Sequence, residues 1–270
     1  MSIQGVKKQL VIVCGQSNAR GAGLVSDVVS PLDTSILNAY PNVPYCYKCD
    51  SNTDPPVYDT YSVASMGPRV YASINRFGVE LTMMRYLDAL YPGRWACGKY
   101  ALDSTNLTGD WNPARGNFSD ATPCPFTQLV NFSLQTEIDC AAELAAFVWI
   151  QGENDAQGSG TAAAYGTNLL NFITQLRSAL GRVVPFVYGR LNSQYVAAGA
   201  FTVALQNEQA RIEKVLPLMN MINQDGVALQ GDNTHYPAAG CVSLGPLYAE
   251  AILSMGTAYH PAYRYSWSNL

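Results

Sequence analysis

The run Leu10-Val11-Ile12-Val13-Cys14 stops at Gly15 and delivers Gln16-Ser17-Asn18 into a polar turn. A continuous apolar stretch dense in β-branched residues needs cover on both faces, which is how a buried parallel strand reads. Parallel neighbours require crossover connections, and the chain supplies helices between its apolar runs. Leu81, Met84, Leu87 and Leu90 recur at helical spacing before Pro92-Gly93. Trp95–Leu102 then reads as a strand, and Phe126–Ala145 is helical in parts before the strand Ala146–Ile150. Helix Ala162–Leu180, strand Val183–Tyr188, helix Val203–Val215, strand Leu216–Ile222 and helix Pro237–Met255 follow. This alternation predicts an α/β protein, a three-layer α/β/α sandwich around a parallel sheet of about five strands. Residues 22–75, rich in Pro, Ser, Asp, Asn and Tyr, read as a long irregular excursion within one domain spanning 1–270.

Composition removes several classes of function. Charged residues make up 13% of the chain, the formal net charge is −4, and no basic cluster appears, so neither nucleic acid nor an anionic membrane is an expected partner. The apolar run after Met1–Lys8 is too short for a signal-peptide core, and no stretch approaches a transmembrane helix. A soluble protein is expected, acting in the cytoplasm or reaching the outside as part of a virion or by another route. Seven cysteines cannot all pair internally. Cys14 and Cys241 read as small hydrophobes, while Cys46-Tyr47-Lys48-Cys49 reads as a local disulfide or two free thiols. With no second pair of that kind, no metal is assigned.

Three junctions carry unusual polar residues: Gly15-Gln16-Ser17-Asn18, Gln151-Gly152-Glu153-Asn154-Asp155 after the strand ending at Ile150, and Gly231-Asp232-Asn233-Thr234-His235 before the last helix. In a doubly wound sheet all three fall along the carboxyl edge, where ligands bind. A serine needs a base to take its proton, and the chain offers only His235 and His260. Asp232 stands three residues before His235, whereas Tyr259-His260-Pro261 has no acid at suitable spacing. Ser17 can thus be a nucleophile or simply a helix cap, and Asp232-Asn233 a catalytic acid or a turn pair. Asn154 and Gln151 carry neutral amide donors suited to an oxyanion. Gln16, Arg20 and Trp111 are candidate substrate contacts; Arg20 can equally pair with an acid, and Trp111 and Phe118 can equally plug their loop onto the core. Glu80 and Glu153 read as buried braces, and the tyrosine-rich stretches 40–71 and 103–118 suit sugar binding.

These blocks resemble the SGNH (GDSL-like) hydrolases, most closely the carbohydrate acetylesterase branch with its sialate O-acetylesterase-like and acetylxylan esterase-like proteins. The resemblance continues at Phe77-Gly78-x-Glu80, Lys99-Tyr100-Ala101 and Pro237-Ala238-Ala239-Gly240, leaving residues 22–75 and the last dozen uncovered. It implies a flavodoxin-like fold with Ser17 as nucleophile, His235 as general base and Asp232 as its orienting partner. The implied oxyanion hole uses the N–H of Ser17, the N–H of Ser104 or Asp103, and a side-chain amide from Asn154 or Gln151. The implied activity is removal of acetyl groups from a carbohydrate through an acyl-enzyme, with no cofactor. One block departs from the family: Asp103-Ser104-Thr105-Asn106 stands where Gly-Gly-Thr-Ser is usual. That departure keeps open a carbohydrate-binding protein of the same fold with weakened catalysis. A nucleotide- or phosphate-binding protein is the other rival, but residues 15–23 contain neither G-x-G-x-x-G nor G-K-[ST].

Overall fold

Strand β1 (Lys8–Gly15) shows why the opening run had to be apolar throughout. Its alternate side chains enter two separate cores: Val11 and Val13 face one, and Leu10, Ile12 and Cys14 face the other. In the computed structural model, which describes residues 7–49, 62–69, 74–115, 124–196 and 200–256, β1 lies at the centre of a seven-stranded sheet. The other strands are β2 (Tyr40–Cys49), β3 (Ser62–Met66), β4 (Trp95–Ala101), β5 (Ala142–Ile150), β6 (Phe186–Gly189) and β7 (Met219–Ile222). Their order is β3-β2-β4-β1-β5-β6-β7, and all pairings are parallel except the edge pair β2–β3. Helices α2 (Glu80–Leu90) and α6 (Ala238–Ser254) pack on one face; α3 (Pro125–Asp139), α4 (Ser159–Leu180) and α5 (Thr202–Ile212) pack on the other. The three-layer α/β/α architecture is therefore as expected, with two more strands than the sequence suggested.

Both extra strands come from residues 22–75, so that stretch is not wholly irregular. Pro41 and Pro44 hide β2 because proline cannot donate to a ladder. They precede the parallel register with β4, which starts at Tyr45↔Cys97, and the pairing with β3 shifts register between Tyr40 and Pro44. A second correction lies at α3 and β5: the helix ends at Asp139, and the strand begins at Ala142 rather than Ala146. Ala141-Ala142-Glu143-Leu144-Ala145 has good helix propensity, but sheet pairing with β1 decides its state. All seven cysteines are buried and none forms a disulfide. Cys46 and Cys49 do not pair, because an odd spacing along β2 sends them to opposite faces of the sheet.

The chain leaves β1 toward β2 and β4 on one side, then returns past it to β5 on the other. The carboxyl ends of β4, β1 and β5 thus frame the point where the winding reverses, the natural site for a ligand. No described helix is long and apolar enough to cross a membrane.

Candidate active site

Gly15 turns the end of β1 at φ +133, and a Cβ there would collide with the Ile150 carbonyl of β5. That close approach lets β1 pass directly into the single turn α1 (Ser17–Arg20), with Ser17 as its first residue. The N–H groups of such a first turn have no intrahelical partner and point outward from the turn. Ser17 is 6% exposed, so its hydroxyl sits in a recess.

Asn18 ties the three junctions together. Its Nδ2 donates to Glu153 Oε1 at 2.6 Å and to the Thr234 carbonyl at 2.9 Å. Its Oδ1 accepts from the Tyr236 N–H at 3.1 Å. The backbone on either side of His235 is thereby fastened to the residue that follows Ser17. His235 Nδ1 lies 2.7 Å from Asp232 Oδ2, and the other Asp232 oxygen accepts from the N–H groups of Thr234 and His235, each at 2.9 Å. Partial burial opposes ionisation of Asp232, but the bonds from His235 and Thr234 outweigh it and hold the carboxyl below its usual range. No hydrogen bond joins the imidazole to the Ser17 hydroxyl among the described residues.

Beneath α1 sits a wholly buried ion pair. Lys99 Nζ, on β4, is 2.7 Å from Glu80 Oε1 and also donates to the carbonyls of Arg20 at 2.9 Å and Arg69 at 2.6 Å. Glu80 Oε1 accepts in turn from the Gly78 N–H at 3.1 Å. Glu153 is likewise buried, and burial raises its pKa against the lowering effect of the Asn18 bond. Both glutamates are the braces expected. The sequence alone assigns no role to Lys99 or Asn18, although a lysine inside a strand buried on both faces is a visible signal.

The remaining candidates divide. Asn154 Nδ2 donates to the Ser104 carbonyl at 2.6 Å, which brings the turn after β4 to the junction after β5. Gln151, a candidate oxyanion donor, instead commits its Nε2 to Gln16 Oε1 at 3.1 Å, the Thr105 carbonyl at 3.1 Å and Asp155 Oδ2 at 2.7 Å. An amide nitrogen has two hydrogens, so none is left for a ligand. Gln16 is also an internal brace rather than a substrate contact: it is 3% exposed, and its Oε1 accepts from Gln151 Nε2. Arg20 pairs with Asp103 at 2.7 Å. Trp111 does not face a substrate: it is fully buried, edge-on to Trp149 at 5.1 Å between ring centroids, and donates to Thr105 Oγ1 at 2.8 Å. Tyr45 and Tyr47 are buried too. Phe118 and His260 lie outside the described residues. Among the described residues, no cluster of three or more His, Cys, Asp or Glu could hold a metal ion.

Solved structures share this fold. A protein from Arabidopsis thaliana superposes with a TM-score of 0.65 at 19% identity, over 92% of this chain and 99% of the other. NanS gives 0.67 at 13% identity, over 93% of this chain and 98% of the other. A carbohydrate acetylesterase from Xanthomonas citri gives 0.64 at 17% identity, covering 93% of this chain and 56% of the other. No curated protein matches the chain by sequence. Residues 99–254, more than half of the chain, match the family described as carbohydrate esterase, sialic acid-specific acetylesterase. The chain belongs to that family of carbohydrate esterases and is a carboxylic ester hydrolase.

Proposed function

We propose that the whole chain acts as one esterase domain, removing O-acetyl groups from a carbohydrate with Ser17, His235 and Asp232 as its catalytic triad. The observation that carries the assignment is the Asn18 clamp. Its bonds to the backbone of Thr234 and Tyr236 fasten the residues on either side of His235 to the residue after Ser17, and Asp232 Oδ2 lies 2.7 Å from His235 Nδ1, which supports this reading.

In this reaction the Ser17 hydroxyl adds to the acetyl carbonyl carbon as His235 takes its proton. Asp232 holds the imidazole through Nδ1, leaving Nε2 for that transfer, and stabilises the cation that forms. The carbonyl oxygen becomes an oxyanion stabilised by the N–H of Ser17, the N–H of Ser104 and the second hydrogen of Asn154 Nδ2. Collapse breaks the bond to the sugar oxygen, which leaves with the proton from His235. Water then adds to the acetyl-serine with His235 again as base, releasing acetate and restoring Ser17.

Hydrolysis of p-nitrophenyl acetate, followed by acetate release from a panel of O-acetylated glycans, tests the proposal. Wild type turns over both, and Ser17→Ala loses roughly 10⁴-fold or more in kcat. A wild type inert on both, or Ser17→Ala at the wild-type rate, overturns it.

A further inference from the structure

Ser104 carries its backbone at φ +53, in the left-handed region that a residue with a Cβ avoids without support. Two contacts supply that support from opposite sides. Before it, Asp103 Oδ2 lies 2.7 Å from Arg20 Nη2, with only 7% and 10% of the two side chains exposed. At Ser104 itself, the carbonyl accepts from Asn154 Nδ2 at 2.6 Å. Arg20 belongs to α1, three residues after Ser17, and its own carbonyl is fixed by the buried Lys99. One ion pair therefore links the turn that carries the nucleophile to the turn that carries Ser104.

We propose that the Arg20–Asp103 ion pair is a positioning device. Together with the Asn154 bond, it holds Ser104 in the left-handed conformation and sets its N–H at a fixed place relative to the N–H of Ser17. The proposal rests on the reading above, in which both groups donate to the oxyanion. The pairing has a second effect: the Arg20 guanidinium neutralises the Asp103 carboxylate, which would otherwise oppose the negative charge that develops nearby. Arg20 and Asp103 act through Ser104 and do not touch the reacting atoms.

The test is a double-mutant cycle with Ser104→Gly, because glycine takes positive φ without support. With p-nitrophenyl acetate, Asp103→Asn lowers kcat about 10- to 100-fold, short of the roughly 10²–10³ for outright loss of a donor. KM stays within about twofold, because the interaction matters only in the transition state. In the Ser104→Gly background the same Asp103→Asn change costs less than about threefold. Thermal unfolding of each variant confirms that folded protein is being compared. Should Asp103→Asn unfold, Arg20→Lys carries the same comparison, since it keeps the charge and loses the planar fork. Wild-type kcat in these variants, equal losses in both backgrounds, or a rise in KM at constant kcat each overturn the positioning role. Wild-type turnover and its loss in Ser17→Ala are read separately, so the triad assignment stands or falls independently of the cycle.

Discussion

Two close polar contacts flank the turn that carries Ser17, both closed at 2.7 Å, and they differ in their access to water. Lys99–Glu80 is sealed, with neither side chain exposed, while His235 and Asp232 keep 30% and 46% of their side chains in solvent. The sealed pair spends its hydrogen-bonding capacity on backbone, holding the carbonyls of Arg20 and Arg69 and the N–H of Gly78. It fixes shape, and removing either member strands a charge that has no water to turn to. The open pair keeps contact with water, where protons can be exchanged. At equal distance, solvent access separates a structural ion pair from a contact suited to proton transfer.

Breaking the open pair should give the largest effect. His235→Ala is expected to lower kcat roughly 10⁴-fold, while His260→Ala keeps the wild-type rate; steady-state assays on p-nitrophenyl acetate compare them, and equal losses would mean the base is elsewhere. Asp232→Asn should cost less, on the order of 10²-fold, because His235 keeps its place through its backbone. The sign with pH follows from the lowered pKa of Asp232. Its hold on His235 is complete above the ordinary Asp value of about 3.9 and is lost only as pH falls through the lower folded value. The asparagine variant should lack that acid-side loss.

Breaking the sealed pair should be read in stability instead. Lys99→Met is expected to cost about 3–5 kcal/mol in denaturant unfolding, and adding Glu80→Leu should return part of it by removing the stranded carboxylate. A single variant as stable as wild type would contradict the structural role. The smallest effect is expected at Glu153, whose pKa burial raises. A raised folded pKa means that stability declines as pH rises from the ordinary Glu value, about 4.3, through the folded one. Glu153→Gln keeps an acceptor for Asn18 Nδ2, so thermal melts should show it gaining on wild type across that window. A pH-independent difference would place the burial cost elsewhere.

Much of the fold was legible because burial on both faces writes itself into composition. β1, β4 and the end of β5 show as apolar runs, and the five longer described helices fall within the segments expected to be helical or at their edges, while the single turn α1 reads as a polar turn. β2 was obscured because its prolines lie outside the parallel register, a fact of pairing rather than of local sequence. At the site, Ser17, Asp232 and His235 were visible as chemically complementary residues at two of the three polar junctions. The roles of Gln16, Gln151 and Trp111 were not, since an amide or an indole reads the same whether it faces a ligand or a neighbouring loop. Only the partners of Gln151 Nε2 and the aromatic cluster around Trp111 distinguish the two.

By itself, the sequence determined an α/β sandwich with a serine delivered to the carboxyl edge of its sheet, because periodicity and strand-ending glycines are local properties. What the tertiary structure decided is which polar residues support and which are left to react. Asn18, Lys99 and the Arg20–Asp103 pair acquire their roles through contacts 19 to 218 residues apart for the first two and through the meeting of α1 with the turn after β4 for the third. Hydrogen-bonding capacity is finite, so a donor's availability to substrate depends on every acceptor the fold brings to it, and no stretch of chain contains that list.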